Sequence, residues 1–291
     1  MEREGGPTVQ VIERVAELAG ALDAERAAGH GVGLVPTMGA LHAGHASLIE
    51  RAARECDVVC ATVFVNPLQF GPGEDYDAYP RHLDADVAAA EKAGATLVFA
   101  PGPADMFPAE RRTWVHVGGL GDVLEGASRP GHLDGVATVV AKLFALAGRC
   151  RAYFGDKDYQ QLVVVRRLVA DLSFPVDVVA CPTVRDVDGV ALSSRNRFLG
   201  ADERAAAPVL FRALRAGAAS VLAGELDPAE VASLVVAIVE AEPLVTLDYA
   251  EVVDAATLEV PEKLDGELRL LVAVRLGQTR LIDSVGVVVP G

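Results

Sequence analysis

Cysteine, positive charge and long apolar runs are all scarce in this sequence. Four cysteines among 291 residues cannot build the disulfide framework of a small secreted protein. With 26 Lys+Arg against 41 Asp+Glu, the formal net charge of −15 argues against a protein that holds nucleic acid or an anionic membrane through bulk charge. The longest uncharged apolar stretch, residues 135–141, is far too short to span a bilayer.

The amino terminus also lacks the basic region and apolar run of a secretory signal, so we expect a soluble cytoplasmic protein. Cys56 and Cys60 are four residues apart, but the first is predicted to end a helix and the second to lie in a strand. Buried structural thiols are therefore favoured over a metal pair. The acidic balance still permits a small anionic substrate, provided that its binding site is built locally.

What the sequence does contain is enough apolar residues for a core, at 51% of the total. Its first part alternates strand and helix patterns, which is typical of a parallel sheet with crossover helices. The pattern changes near Pro182. We predict an α/β fold with two domains: a Rossmann-like, doubly wound parallel sheet of the nucleotidyltransferase type over residues 1–183, and a smaller α+β domain over 184–291. The predicted strands cover 32–36, 58–65, 96–100, 151–154, 176–180, 246–253, 268–276 and 279–289, and the predicted helices 43–55, 84–93, 135–147, 159–172, 201–223 and 228–241.

The segment PTMGALHAGH, residues 36–45, lies where the first strand pattern turns into a helix. His42 and His45 are three residues apart, so on a first helical turn they share one face. A helix N-terminus offers N–H groups and partial positive charge to an anion. We interpret this turn as a phosphate site in which two imidazoles supplement the helix dipole. An alternative of about equal weight is that the histidines only cap the helix or bind a metal.

Two other polar segments also follow predicted strands. In Gly155-Asp156-Lys157-Asp158, the lysine is placed to reach a phosphate, and Gln161 can bind a polar substrate through its amide. The alternative is a charged helix cap. Asn66 and Gln69 follow the strand over 58–65, where the alternative is an ordinary turn.

A further segment, residues 184–197, is polar and rich in turn-forming residues. It contains Ser193-Ser194-Arg195-Asn196, whose hydroxyl, guanidinium and amide groups suit a polyphosphate. The alternative is a solvated linker between the domains.

Taken in order, these segments resemble the pantothenate synthetase family, which belongs to the nucleotidyltransferase superfamily with an H-x-G-H signature. The resemblance rests on five blocks spread over most of the chain: PTMGALHAGH, FVNPLQFGPGEDYDAYPR, GDKDYQQL, PTVRDVDGVALSSRNRFL and LLVAVRLGQTRLIDS. H-x-G-H alone would be a weak signal, but five blocks in the right order are not.

The resemblance implies a ligase of pantothenate biosynthesis, on the way to coenzyme A. In the implied reaction, (R)-pantoate, β-alanine and ATP give pantothenate, AMP and diphosphate through a pantoyl adenylate. The second domain would act as a lid, with the Pro182 region as hinge.

The resemblance also implies roles for individual residues. His45 would be the proton donor, with His42 beside the phosphates and Lys157 among the catalytic groups. Gln69 and Gln161 would bind pantoate, Gln69 also β-alanine, and Asn66 lies with them. The implied ATP site consists of Met38, Gly39, Ala40, Leu41, His42, Ala43, Gly44, His45, Gly155, Asp156, Lys157, Asp158, Val184, Leu192, Ser193, Ser194 and Arg195.

Two further expectations concern magnesium and the oligomer. Some relatives carry adjacent acids as Mg²⁺ ligands where this chain has Asp84-Ala85-Asp86, so we expect no protein-borne metal site and Mg²⁺ carried mainly by the ATP phosphates. The β-branched run over 58–65 and the family habit of dimerising predict a homodimer through the N-terminal domain.

Three other functions compete with this interpretation. Another H-x-G-H nucleotidyltransferase would have to ignore Gln69 and Gln161, which suit a small polar acid. An aminoacyl-tRNA synthetase would need an anticodon-binding region and a basic face, for which a chain of 291 residues and charge −15 offers no clear candidate. A nucleotide sensor without turnover would not require the set of His42, His45, Lys157 and Arg195.

Overall fold

Short β-branched segments and helices alternate through the first part of the chain, and in the computed structural model they form an α/β fold. The structure describes residues 9–107 and 110–290. The chain is divided into two compact units. The first contains the described residues up to Gly155 together with Gln161–Cys181, and the second contains Asp156–Gln160 and the described residues from Pro182 onwards.

The first unit is built on a six-stranded parallel sheet, which confirms the predicted fold class. Its strands are β1 (Gln10–Ile12), β2 (Val32–Val35), β3 (Val58–Thr62), β4 (Leu97–Phe99), β5 (Cys150–Gly155) and β6 (Val176–Cys181). Their order across the sheet is β1-β4-β3-β2-β5-β6. Strands β2 and β3 lie in the interior and are buried along their whole length, as expected for apolar runs in a parallel sheet covered by helices.

Seven helices begin before Pro182 in the described part of the chain: α1 (Val15–Ala27), α2 (Ala43–Glu55), α3 (Leu83–Ala93), α4 (Pro103–Met106), α5 (Glu125–Ser128), α6 (His132–Ala147) and α7 (Tyr159–Leu172). Helices α2 and α7 have the predicted bounds. The loop-rich stretch after β4 contains only the four-residue helices α4 and α5 among its described residues, and α6 begins three residues earlier than predicted.

The second unit contains helices α8 (Ala201–Ala206), α9 (Val209–Leu222) and α10 (Pro228–Glu240), and an antiparallel sheet of strands β7 (Val245–Asp254), β8 (Glu267–Leu276) and β9 (Thr279–Val288). Alternate residues of β8, from Leu268 to Leu276, join the apolar core formed with α9 and α10. The residues between them, among them the buried Arg269, belong to the other face of the sheet. This arrangement confirms the predicted α+β character.

Several details differ from the sequence prediction. Strand β3 ends at Thr62 instead of residue 65, and β1 and α1 were not predicted. The helix predicted over 201–223 is divided at Ala207–Pro208, because proline has no N–H for the helical hydrogen bond. Strand β3 pairs with both β2 and β4, so its apolar run is explained by its own sheet and does not indicate a dimer surface.

The observed units also refine the predicted domain division. The boundary expected between residues 183 and 184 falls two residues after the observed change of unit at Pro182. The sequence did not assign Asp156–Gln160 to the second unit. That the first domain binds ATP and pantoate, and that the second acts as a lid, stay predictions.

Burial accounts for three of the four cysteines and for much of the one helical stretch in the described part of the chain that is long and apolar enough to cross a membrane. Cys60 and Cys150 are buried free thiols, and burial raises the pKa of each to about 12. Cys56 follows the last residue of α2 and Cys60 lies in β3, as predicted. The stretch Ala201–Leu222 is long and apolar enough to cross a membrane, but half of its apolar window is buried and it contributes to the core of the second unit.

Candidate active site

The predicted site residues of the first unit follow three neighbouring strands. Met38–His45 come after β2, Asn66 and Gln69 come after β3, and Gly155 ends β5. Because these strands are parallel, the three segments lie at one edge of the sheet. The chain continues from β2 to β3 and β4 on one side and later forms β5 on the other, so the strand order reverses between β2 and β5. Ligands of open α/β sheets bind at such a switch point.

The two histidines of the turn cap helix α2 through their own side chains. His42 Nδ1 accepts a hydrogen bond from the Gly44 N–H at 3.1 Å, and His45 Nδ1 accepts one from the His42 N–H at 3.4 Å. This is a reciprocal capping box made by two imidazoles, whose ring centroids are 4.0 Å apart. Because Nδ1 is an acceptor in both rings, each neutral imidazole carries its proton on Nε2. Capping therefore uses only one of the two nitrogens of each ring.

Most backbone amides of this turn already have partners within the first unit. The Gly39 N–H donates to Thr37 Oγ1 at 3.1 Å, and those of Ala40 and Leu41 donate to the Asp86 carboxylate at 3.0 and 2.7 Å. The amides of His42 and Gly44 are used in the cap. The amides of Gly39 to His42 and of Gly44 therefore donate within the protein, and the phosphate site at this turn stays a prediction.

Two threonines join the ends of β2 and β3 at the start of this turn. The Thr37 N–H donates to Thr62 Oγ1 at 3.0 Å, and the Thr62 hydroxyl donates to the Thr37 carbonyl at 3.1 Å. The Thr37 hydroxyl in turn donates to the Thr62 carbonyl. Both residues are buried. The start of the histidine turn is thereby fixed to the strand that precedes Asn66 and Gln69.

Asn66 and Gln69 form one buried amide pair with a connection to the histidine turn. Asn66 Nδ2 donates to Gln69 Oε1 at 3.0 Å and to the Gly135 carbonyl at 3.1 Å, while Gln69 Nε2 contacts Met38 Sδ at 2.9 Å. A Cβ on Gly135 would lie 2.2 Å from the Leu68 carbonyl oxygen, so only glycine allows α6 to approach this closely. Gln69 is thus held from both sides of its amide.

Arg129 and His132 hold the backbone of Gln69. His132 Nδ1 donates to the Gln69 carbonyl at 2.8 Å, and Arg129 donates to the same oxygen at 3.3 Å. Burial, followed by the nearby charge of Arg129, lowers the pKa of His132 to about 4. Burial opposes ionisation of Glu74, but the hydrogen bonds and charge of Arg129 outweigh it and lower the pKa of that carboxyl to about 2. His132 is therefore a neutral donor at pH 7, beside a charged Arg129–Glu74 pair.

Gln161 also belongs to the first unit. It is half-buried and lies in the first turn of α7, which follows β5. The structure describes no bond of its amide that would assign it a partner. Its predicted role as a pantoate contact therefore rests on the sequence alone.

The predicted segment Asp156–Asp158 belongs to the second unit, where it forms a short 3-10 helix. Arg269 donates to the Asp156 carbonyl at 2.8 Å, and its guanidinium lies 3.2 Å from the Asp156 carboxylate. The Ser284 hydroxyl donates to the same carbonyl at 3.0 Å. Lys157 Nζ pairs with Asp158 Oδ1 at 3.2 Å. Strands β8 and β9 therefore fix the backbone from which Lys157 extends.

The predicted segment from Val184 to Arg195 is an ordered loop rather than a solvated linker. The Leu192 N–H donates to the Val184 carbonyl at 3.0 Å, and this closes the loop. Inside it, Arg185 forms a two-point ion pair with the buried Asp283 at 2.6 and 2.9 Å. Ser193 caps the 3-10 helix Ser194–Phe198 by accepting from the Arg195 N–H at 3.3 Å.

A small pocket of the second unit brings two of the predicted segments together. It is lined by Lys157 from the first segment and by Val190, Ala191, Ser193 and Asn196 from the second, with Asp283 at its side. Asn196 Nδ2 donates to the Ala191 carbonyl at 3.0 Å. Within the second unit, the lysine and the serine-rich loop therefore share one surface.

Comparison with known proteins decides the family. Residues 10–286 match the family described as pantoate-beta-alanine ligase. The chain belongs to this family. It is 52% identical over 254 residues to the pantothenate synthetase of Acidobacterium capsulatum, covering 87% of this chain and 85% of that protein. It is 47% identical over 277 residues to that of Moorella thermoacetica, covering 95% and 98%.

Solved structures give the same answer. The pantothenate synthetase of Thermus thermophilus superposes with a TM-score of 0.90 at 50% identity, covering 95% of this chain and 99% of that one. The pantoate-beta-alanine ligase of Francisella tularensis, solved in complex with beta-gamma ATP and beta-alanine, has a TM-score of 0.78 at 31% identity, covering 95% and 97%. These matches confirm the enzyme class and fold predicted from the sequence: a Rossmann-like ligase of pantothenate formation.

Membership of the pantoate-beta-alanine ligase family does not explain how the candidate site is held, and here the sequence missed several residues. Asp86, Arg269 and Ser284 bind the backbone of predicted segments but were not predicted as site residues. Asp86 had a sequence signal, the acidic run Asp84-Ala85-Asp86, which was considered only for metal binding. Arg269 had a weaker one, because it is the one charged residue inside the apolar run LRLLVAV.

Proposed function

We propose that this member of the pantoate-beta-alanine ligase family works in two steps that share an adenylate. A carboxylate oxygen of pantoate attacks the α-phosphorus of ATP, and the bond to diphosphate breaks. The amine of β-alanine then attacks the pantoyl carbonyl carbon, AMP leaves with the shared oxygen, and the amine loses a proton. The products are pantothenate, AMP and diphosphate.

The observation that carries this proposal is the imidazole pair at the switch point of the sheet. With both Nδ1 atoms engaged in the cap, the neutral rings of His42 and His45 carry their protons on Nε2, and an imidazole N–H is a donor of the type that phosphate oxygens require. We assign His45 as the proton donor and place His42 beside the phosphates. Since the cap fixes both rings, little reorganisation is needed when charge develops on the phosphorus oxygens.

The remaining predicted ATP contacts supply charge and shape. Lys157 and Arg195 contribute positive charge, while Val184, Leu192, Ser193 and Ser194 belong to the ordered loop of the second unit. Met38–Gly44 and Gly155, Asp156 and Asp158 complete the proposed set. The chemistry depends chiefly on positioning and on neutralising charge, so no enzyme nucleophile is needed.

Magnesium enters this proposal with the nucleotide. Among residues 9–107 and 110–290 no group of three His, Cys, Asp or Glu side chains is arranged to hold a metal ion. Mg²⁺ bound to ATP would offset phosphate charge, and the phosphates would be its main ligands.

For the acid substrate, we propose Gln69 and Gln161 as pantoate contacts, with Asn66 beside them and Gln69 also facing β-alanine. The contacts around Gln69 support this assignment: its carbonyl accepts from Arg129 and His132, and its side chain is held by Asn66 and Met38. A buried amide held this firmly can discriminate a hydroxy acid by hydrogen bonds.

ATP–diphosphate exchange tests this function. The purified protein is expected to exchange labelled diphosphate into ATP when pantoate is present and β-alanine is absent, because the first step is then reversible and complete in itself. Exchange without pantoate, or with β-alanine in its place, would contradict the proposal. The same outcome would favour another nucleotidyltransferase reaction.

We also propose a cytoplasmic homodimer that has no nucleic-acid or membrane partner. The support is the family habit and the acidic net charge of −15, since the apolar run of β3 no longer contributes. Light scattering at micromolar concentration should give about 61 kDa, twice the chain mass of 30.4 kDa. A mass of one chain would contradict it.

A further inference from the structure

Asp86 has no role in the reaction as proposed, yet its carboxylate accepts two backbone hydrogen bonds from the histidine turn. It lies in the first turns of α3 and is 4% exposed. Its Oδ2 accepts from the Ala40 N–H at 3.0 Å and its Oδ1 from the Leu41 N–H at 2.7 Å. A buried carboxylate that receives two backbone N–H groups is well compensated for its lost hydration.

The backbone of the turn explains why an anion is needed there. Gly39 has φ +84° and Ala40 has φ +51°, so two successive residues are left-handed, and at Ala40 this conformation is strained. Successive amides in such turns converge on one point and form an anion-binding concavity. In this chain the concavity is filled by a side chain of the protein.

The surrounding space fits this arrangement closely. A Cβ added to Gly39 would lie 2.8 Å from Asp86 Oδ2 and 3.0 Å from Val63 Cγ1. The glycine therefore allows the carboxylate to approach the turn. Directly after the two bound amides come His42, which caps α2, and then His45, which caps His42.

We propose that Asp86 is a positioning residue for adenylation: its carboxylate serves as a built-in anion for the Ala40 and Leu41 amides and thereby fixes the His42 and His45 rings. Its catalytic consequence rests on the proposed function of those rings. Both oxygens are committed to backbone N–H groups, so Asp86 acts through the histidines and not on the substrate.

The test uses Asp86→Asn with Asp84→Asn as matched control. Asparagine keeps one acceptor oxygen but turns an NH₂ group toward the second amide, so one of the two hydrogen bonds is lost. Asp84 lies two residues away in the same helix and is exposed, so its variant makes the same charge change without touching the turn. Asp86→Asn is expected to lower kcat of pantoate-dependent exchange about 10- to 100-fold, while KM for pantoate stays within about twofold. Asp84→Asn should leave both unchanged.

A double variant separates positioning from simple loss of stability. If Asp86 acts through His42, Asp86→Asn combined with His42→Ala should be no slower than His42→Ala alone. Independent, multiplicative losses would overturn the proposal. So would a lowered melting temperature with unchanged kcat of the folded enzyme.

Amide NMR of the full chain gives a readout that needs no activity. In the wild type, the Ala40 and Leu41 amide protons should be shifted downfield and protected from solvent exchange, and Asp86→Asn should move both. Unprotected wild-type amides would overturn the proposal even if the asparagine variant fails to fold. If the wild type shows no pantoate-dependent exchange, the proposed function fails, whereas the amide shifts still report whether Asp86 holds the turn.

Discussion

Two strand-to-helix turns of this ligase carry proposed ATP contacts, and they are held in different ways. The turn after β2 is fixed entirely within the first unit, by Thr37, Asp86 and the two capping histidines. The segment after β5 is fixed by Arg269 and Ser284, and it belongs to the second unit although it interrupts the sequence of the first.

We interpret this difference as a match to two different requirements of the proposed reaction. In the proposed reaction, the histidine turn needs accurate donor geometry, and hydrogen bonds within the first unit hold it. The proposed role of Lys157 is to supply charge, which acts over longer distances and tolerates a less exact position. We therefore expect changes in the first turn to reduce the rate most and changes in the second frame to reduce it less.

The largest effect is expected from His45→Asn. The asparagine side chain can still accept the His42 N–H where Nδ1 did, but it has no group at the position of Nε2. We expect kcat to fall by about 100-fold or more, as for loss of a catalytic donor, while the free energy of unfolding changes by less than about 1 kcal/mol. Steady-state kinetics and thermal unfolding measure the two quantities.

The control is His45→Ala, which removes the cap as well as Nε2. It should match His45→Asn in kcat and fall below it in stability by about 1 kcal/mol. If His45→Asn keeps wild-type kcat, the histidine is only a capping residue and the comparison of the two turns loses its basis.

A smaller effect is expected from Lys157→Met, which keeps the apolar stem and removes the charge. Less neutralisation of phosphate charge should lower kcat about 10- to 100-fold. Ser284→Ala is the matched control. It keeps Lys157 but loses the hydrogen bond that holds the Asp156 carbonyl. Its kcat should fall only a few-fold. An equal loss of kcat in both variants would mean that the position of the Asp156 backbone matters as much as the charge of Lys157.

The smallest effect on activity, and a distinct effect on stability, is expected from His132→Asn. The folded pKa of His132 is about 4 and its unfolded value is about 6.5, so the unfolded chain binds more protons as the pH falls between these values. The wild type should lose roughly 3 kcal/mol of stability over that window from this residue. Asparagine can still donate to the Gln69 carbonyl, so activity near neutral pH should change only a few-fold.

The readout for His132 is chemical unfolding measured between pH 7 and pH 4. The variant should lose less stability than the wild type over this range. Glu74 affects stability at lower pH than His132 does. Its pKa is lowered to about 2, so the stability that it contributes is lost only as the pH falls from about 4.5 downwards. Identical slopes for the two proteins would show that His132 does not titrate as described.

Much of the fold could be predicted from apolar periodicity alone. The bounds of α2 and α7 were predicted to the residue, because strand ends and turn residues flank them clearly. The short edge strand β1 was missed, since three residues show no period. The site segments were proposed from the sequence because polar residues after buried strands mark the binding edge of a parallel sheet. The structure places three of them after neighbouring parallel strands, and their roles stay predictions.

The residues that hold the site in place could not be predicted, because each of them contacts a position far away in the sequence. Asp86 binds amides 46 and 45 residues before it, and Ser284 reaches a carbonyl 128 residues away. Such contacts depend on how strands and helices are placed in space, and no local pattern encodes them. The capping role of the histidines is by contrast a local contact, and the sequence posed it as an alternative to phosphate binding.

The most direct test of adenylation follows the oxygen atoms. Pantoate labelled with oxygen-18 in its carboxylate is incubated with ATP, β-alanine and the enzyme, and the AMP and diphosphate are analysed by mass spectrometry. If the carboxylate attacks the α-phosphorus and AMP leaves with the shared oxygen, each AMP should carry one labelled oxygen and diphosphate none. Unlabelled AMP, or label in diphosphate, would contradict the mechanism.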